Sequence, residues 1–181
     1  MWRPLVEEEI GIAQRQAKVA ELIRNTRVAM MTMVDKSGGL VSIPMATQEA
    51  EVNGTFWFIT EKNSAKVRHL STNPRVNLAF AGSGSWVSVS GTARILNDPE
   101  KLKELWGTFT DAWLKDGPEN PDNVLLRVDA ETAEYWDSSG SGMIVQLANL
   151  VKSAVTGERM EGENEVVRFS AKEETHHNSN S

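Results

Sequence analysis

Three apolar runs, RVAMMTMVD (27–35), LVSIPMATQEA (40–50) and TFWFIT (55–60), follow one another with only KSGG and EVNG between them. Linkers that short cannot carry a crossover, so the strands must run antiparallel. The habit recurs further on. RVNLAF (75–80) sets Val76, Leu78 and Phe80 on one face, and WVSVSGTARIL (86–96) opposes Val87 and Val89 to Ser88 and Ser90. VLLRVD (124–129) and AEYWD (133–137) read as two more strands.

Helices punctuate these strands. Residues 7–24 carry Ile12, Ala13, Ala17, Val19, Ala20 and Ile23 at amphipathic spacing. Ser64–Thr72 forms a short helix stopped by Asn73-Pro74. Asp98 as N-cap and Pro99 in the first turn open another, with Leu102, Leu105, Trp106, Phe109 and Trp113 along its buried side. An apolar helix follows from Met143 to Val155, closed by Gly157. The expected class is mainly β with flanking helices (α+β), the strands curling into an antiparallel barrel. No Gly-rich dinucleotide fingerprint is present, which excludes a Rossmann domain. Residues 1–25 are assigned to an N-terminal helix, 26–168 to the barrel with its C-terminal helix, and 169–181 to a polar disordered tail.

Composition narrows the function. A formal net charge of −6 argues against duplex nucleic acid as the main partner. The absence of cysteine removes disulfides, thiolate metal sites and a cysteine nucleophile. No run reaches the roughly 20 apolar residues of a membrane span, and MWRPLVEEEI lacks a secretory apolar core, so a cytoplasmic protein is expected. Glu7, Glu8 and Glu9 suit a solvated first helical turn. Met30, Met31 and Met33 read as core, and Trp57, Trp106 and Trp113 as core or dimer-interface aromatics. Neither a Ser-His-Asp triad nor paired carboxylates occur at a defensible spacing.

The chemistry concentrates in TEKNSAKVRHLSTNPRVNLAF (60–80). A helix N-terminus presents unpaired N–H groups and a partial positive charge, which attract anions. Thr60, Asn63 and Ser64 can donate there, and Lys66 can fold its ammonium over a phosphate. The plainer reading stays open: Asn63 or Ser64 only caps the helix and Lys66 is solvated. Arg68 and His69, one turn on, are expected to face solvent or a partner subunit. No metal set has ligand spacing.

FITEKNSAKVRHLSTNPRVNLAF, continuing through WVSVSGTARIL and AEYW, resembles the FMN-phosphate motif of the pyridoxamine 5′-phosphate oxidase-like split barrels. The PMAT strand, WFIT, the LW helix and the Thr-Gly helix end resemble the general stress protein branch of that superfamily, so the likeness spans roughly residues 10–168. It implies an antiparallel six-stranded split β-barrel, an FMN cofactor with FAD as the alternative, and a homodimer with flavin sites between subunits. By the same likeness Thr60, Ser64 and Lys66 lie on the phosphate side. Ile43, Pro44, Met45 and Ala46 run along the flavin ring. Trp86 falls at a ring-side position, and Trp136 matches a tryptophan that reaches the other subunit's cofactor.

Three departures matter. Ser42-Ile43 stands where the family commonly has an arginine, and Ala65 where the oxidases have another beside the helix lysine. DSSGSGM (137–143) offers no cation for a substrate phosphate, so oxidation of pyridoxamine phosphate is not expected. Two functions follow from the resemblance: a flavin-dependent oxidoreductase of unknown substrate, or a flavin-holding storage or sensor protein of the stress response. A deazaflavin in the same groove is a further option.

Overall fold

The computed structural model describes residues 3–24, 26–114, 116–137 and 163–169. Helix α1 (Arg3–Arg24) precedes strands β1 (Val28–Val34), β2 (Leu40–Ala46), the two-residue β3 (Glu49–Ala50) and β4 (Thr55–Glu61). Helix α2 (Ala65–Thr72) leads to β5 (Arg75–Ala81) and β6 (Ser85–Leu96). Two short helices, α3 (Pro99–Leu105) and α4 (Thr108–Asp111), precede β7 (Asn123–Asp137) and β8 (Glu163–Arg168). The strands form one antiparallel sheet in the order β2-β1-β5-β6-β7-β4-β3, with β8 also on β7.

Local chemistry sets the first turn. The Asp35 carboxylate accepts from the Ser37 N–H at 2.8 Å, the Ser37 hydroxyl at 2.6 Å and the Gly39 N–H at 2.9 Å. Those bonds hold its pKa below the ordinary carboxylate value, the Ser37 hydroxyl contributing most. Sheet closure depends on two consecutive residues. Thr47 N–H donates to Arg27 O beside β1, and Gln48 N–H donates to Trp57 O in β4. Because β2 and β3 are the two ends of the strand order, that step curls the sheet back on itself.

Inside lie Met31, Met33, Phe56, Phe58, Leu78, Phe80, Val87, Val89, Leu126 and Val128, contributed by alternate residues of β1, β4, β5, β6 and β7. A second cluster of Ile59, Leu102 and Leu125 seats α3 on the outside of β4 and β7, with Trp57, Leu105 and Trp106 partly buried around it. Trp57 Nε1 donates to Glu51 at 2.7 Å, between the Lys101 and Arg127 cations 5.6 and 5.9 Å from its ring centroid.

Strand β7 changes partner midway. Its first half pairs with β4 as far as Asp129, and its second half pairs with β8 from Thr132. The register with β6 shifts between Ser90 and Gly91, leaving Glu131 as the extra residue of a bulge at the handover. A side chain at Gly91 would lie 2.2 Å from Asp129 O, so only glycine fits beside the bulge.

Several expectations are corrected. The sheet has eight strands rather than six. Residues 124–137 form one strand, because the bulge keeps pairing continuous where a turn was expected. The run 40–50 bends at Thr47–Gln48 to change edges. Strand β8 was not anticipated, although Val167 is buried in the core. Met30 faces outward, since a period of two opposes it to Met31 and Met33. The helix from Asp98 breaks at Trp106 and Gly107, both extended, so Phe109 is exposed and Trp113 is 74% exposed. Helix α1 starts at Arg3, which moves Glu7–Glu9 beyond the first turn. The expected helix 143–155 and the end of the chain from residue 170 lie outside the described residues.

Candidate functional site

Helix α2 begins as its sequence demands. Ser64 is the N-cap, extended, with its hydroxyl accepting from Val67 N–H at 3.4 Å. Asn73 ends it, donating its N–H to His69 O at 2.9 Å before Pro74. Val67 and Leu70 anchor the helix in the interior. Lys66 shares the face of Leu70 one turn earlier and is drawn half inside. Its Nζ donates to Thr60 Oγ1 at 3.0 Å, and Thr60 is itself only 1% exposed at the end of β4.

Burial pulls the Lys66 pKa below the ordinary lysine value, with Glu61 partly opposing. Among the described residues no carboxylate forms an ion pair with Lys66. A half-buried ammonium satisfied by one hydroxyl is electrostatically incomplete, and an anion beside it would restore the balance. Asn63 is exposed at the same helix entrance. Thr60, Asn63, Ser64 and Lys66 are thus gathered at one end of the sheet.

Trp86 and Trp136 are not part of that cluster. They face each other across β6 and β7, 49% and 37% exposed, at the opposite end of the sheet. Thr60 pairs with Val124, and Trp136 lies twelve residues further along the same strand. At about 3.3 Å per residue that is on the order of 40 Å before bending. Pro44 and Ala46 pair with Met30 and Val28, and all four share the outer face with the two tryptophans. Ile43 and Met45 turn the other way, Met45 into the core and Ile43 against it.

Two polar groups escaped the sequence reading. His69, expected to face solvent or a partner subunit, is half-buried, and its Nδ1 is enclosed with no hydrogen-bond partner among the described residues. Thr47 Oγ1 is enclosed in the same way where β2 crosses to β3. An apolar helical period around His69 would have signalled the first. The second depends on closure of the sheet, which no local pattern announces.

Residues 14–161 match the family described as pyridoxamine 5′-phosphate oxidase like. The chain belongs to this family. The Neurospora crassa protein bli-3 is 29% identical over 164 residues, covering 84% of this chain and 78% of the other. General stress protein 26 from a Jannaschia species superposes with a TM-score of 0.68 at 26% identity, covering 87% of this chain and 99% of that one. The general stress FMN/FAD binding protein from Xanthomonas citri gives 0.59 at 30% identity, with 67% and 87% covered. The oxidase-like match and these split-barrel neighbours account for the curled antiparallel sheet with flanking helices. Among the described residues no helix is long and apolar enough to cross a membrane.

Proposed function

We propose that the protein is a flavin-binding member of the general stress branch, acting as an FMN-dependent oxidoreductase in the cytoplasm. The observation that carries this reading is Lys66, a half-buried cation held by Thr60 and lacking a carboxylate partner among the described residues. A phosphate monoester fits that position, with Asn63 and Ser64 adding donors at the helix entrance. The Xanthomonas citri relative, described as binding FMN or FAD, supports the same ligand class. When bound, the flavin supplies the redox chemistry. The chain's own part is to grip the phosphate, line the ring with residues 43–46 and the tryptophans, and exclude water.

The separation of the two clusters favours a homodimer. The length of β7 between Val124 and Trp136 exceeds that of one flavin mononucleotide, which supports a site that draws the two clusters from different copies. Val28, Met30, Leu40, Trp86 and Trp136 are exposed apolar residues of one outer sheet face, a surface suited to a symmetric partner.

The lack of a cation in residues 137–143 sets this chain apart from an oxidase of pyridoxamine phosphate. The same lack favours a second reading, a storage or sensor protein that holds flavin without turnover. The absorption spectrum of the purified protein, with mass analysis of what heating releases, tests flavin binding and its FMN or FAD form. Rapid bleaching by NAD(P)H without oxygen marks the oxidoreductase, while bound but unreduced flavin marks the holder. A colourless protein that takes up no added FMN overturns both.

A further inference from the structure

The start of α2 holds a second cation besides Lys66. Arg68 lies one helical turn beyond Ala65, whose methyl group leaves the first turn open. Long helical side chains lean toward the N-terminus, and this one does: Arg68 Nη1 donates to Asn63 O at 2.5 Å, just ahead of the cap. The guanidinium is therefore folded back over the helix entrance instead of extending into solvent. One of its five N–H donors is used by that carbonyl, and Arg68 is exposed. Among the described residues no carboxylate pairs with it.

We infer that Arg68 is a ligand of the flavin phosphate, gripping from the solvent side the group that Lys66 grips from the interior. This rests on the reading of Lys66 as the phosphate site. Each cation bonds a group beside the Asn63–Ser64 entrance, half-buried Lys66 the buried Thr60 hydroxyl and exposed Arg68 the Asn63 carbonyl. A dianionic phosphate monoester is matched by that pair better than by a single ammonium. Their exposure separates their behaviour: the Arg68 contribution is screened by salt, and that of Lys66 much less.

The test is a fluorescence titration of flavin-stripped full-length protein with FMN and with riboflavin, which lacks the phosphate. Arg68→Gln should weaken FMN about tenfold at low salt, the scale of a charged hydrogen bond. It should leave riboflavin affinity unchanged, Arg68→Lys should recover part of the loss, and the deficit should shrink at 0.5 M salt. Unchanged FMN affinity in Arg68→Gln beside a weakened Lys66→Ala overturns the inference and leaves the phosphate site standing. Equal weakening of FMN and riboflavin also overturns it, assigning Arg68 to the shape of the helix entrance. Unchanged FMN affinity in both variants removes the phosphate site and the inference with it.

Discussion

Burial governs how Lys66 should behave. Replacing it with alanine is expected to weaken FMN by roughly 1–3 kcal/mol, the range of a charge-assisted hydrogen bond, as read from dissociation constants at low salt. Because burial lowers its pKa, the ammonium is lost at lower pH than in an unfolded chain, where it titrates near 10.4. FMN affinity should therefore start to fall on the acid side of the ordinary lysine range, and Lys66→Arg should push that fall to higher pH. For the flavin-free protein the sign is opposite. Between the folded and unfolded pKa values the unfolded state binds more protons, so stability contributed by this group rises with pH. Gly91 offers an independent check at the same scale. A methyl there meets Asp129 O at 2.2 Å, so Gly91→Ala should cost about 3 kcal/mol, the upper end for overpacking, in chemical denaturation.

Among the elements, α3 and α4 separate what sequence determines locally from what it does not. Asp98 Oδ1 accepts from Lys101 N–H at 3.0 Å, as an N-cap should. Asp98→Ala should cost about 1 kcal/mol and Asp98→Asn close to nothing, measured by thermal melting. Helical spacing puts Trp113 on the same buried stripe, yet it is 74% exposed, and Trp113→Ala should move stability by under about 0.5 kcal/mol. The cap was legible because its partners are three residues apart. The stripe was not, because an interior glycine costs about 1 kcal/mol and lets the chain break at Trp106–Gly107. The same contrast runs through the sheet. Alternation identified β5 and β6, the turns KSGG and EVNG marked out β1 and β4, and the cap and helix entrance identified Ser64. The joining of β7 across Glu131 and the addition of β8 depend on pairing between distant segments, which composition does not encode. The inward lean of Lys66 and the return of Arg68 toward Asn63 are side-chain choices made by packing, so the residues were visible but their partners were not.

For the whole molecule, the decisive prediction concerns assembly. If phosphate and ring contacts come from different copies, dilution that separates a dimer should release flavin at the same concentration. Sedimentation velocity and flavin fluorescence across one dilution series test this, and a monomer that keeps its flavin would end the idea. Trp136→Ala should weaken both sites equally, by about 1 kcal/mol from lost ring contact. One further property follows from the strand order. With β3 only two residues long, β2 and β8 are, among the described residues, the longer strands with a single partner strand, and so lie at margins of the sheet. Exposed margins invite foreign strands and seed aggregates. Pro44 sits in the middle of β2, with no N–H to offer. An intruding chain would find its hydrogen-bond ladder interrupted at that point. Whatever Pro44 does beside a flavin, it also works against a second copy pairing its strand along β2.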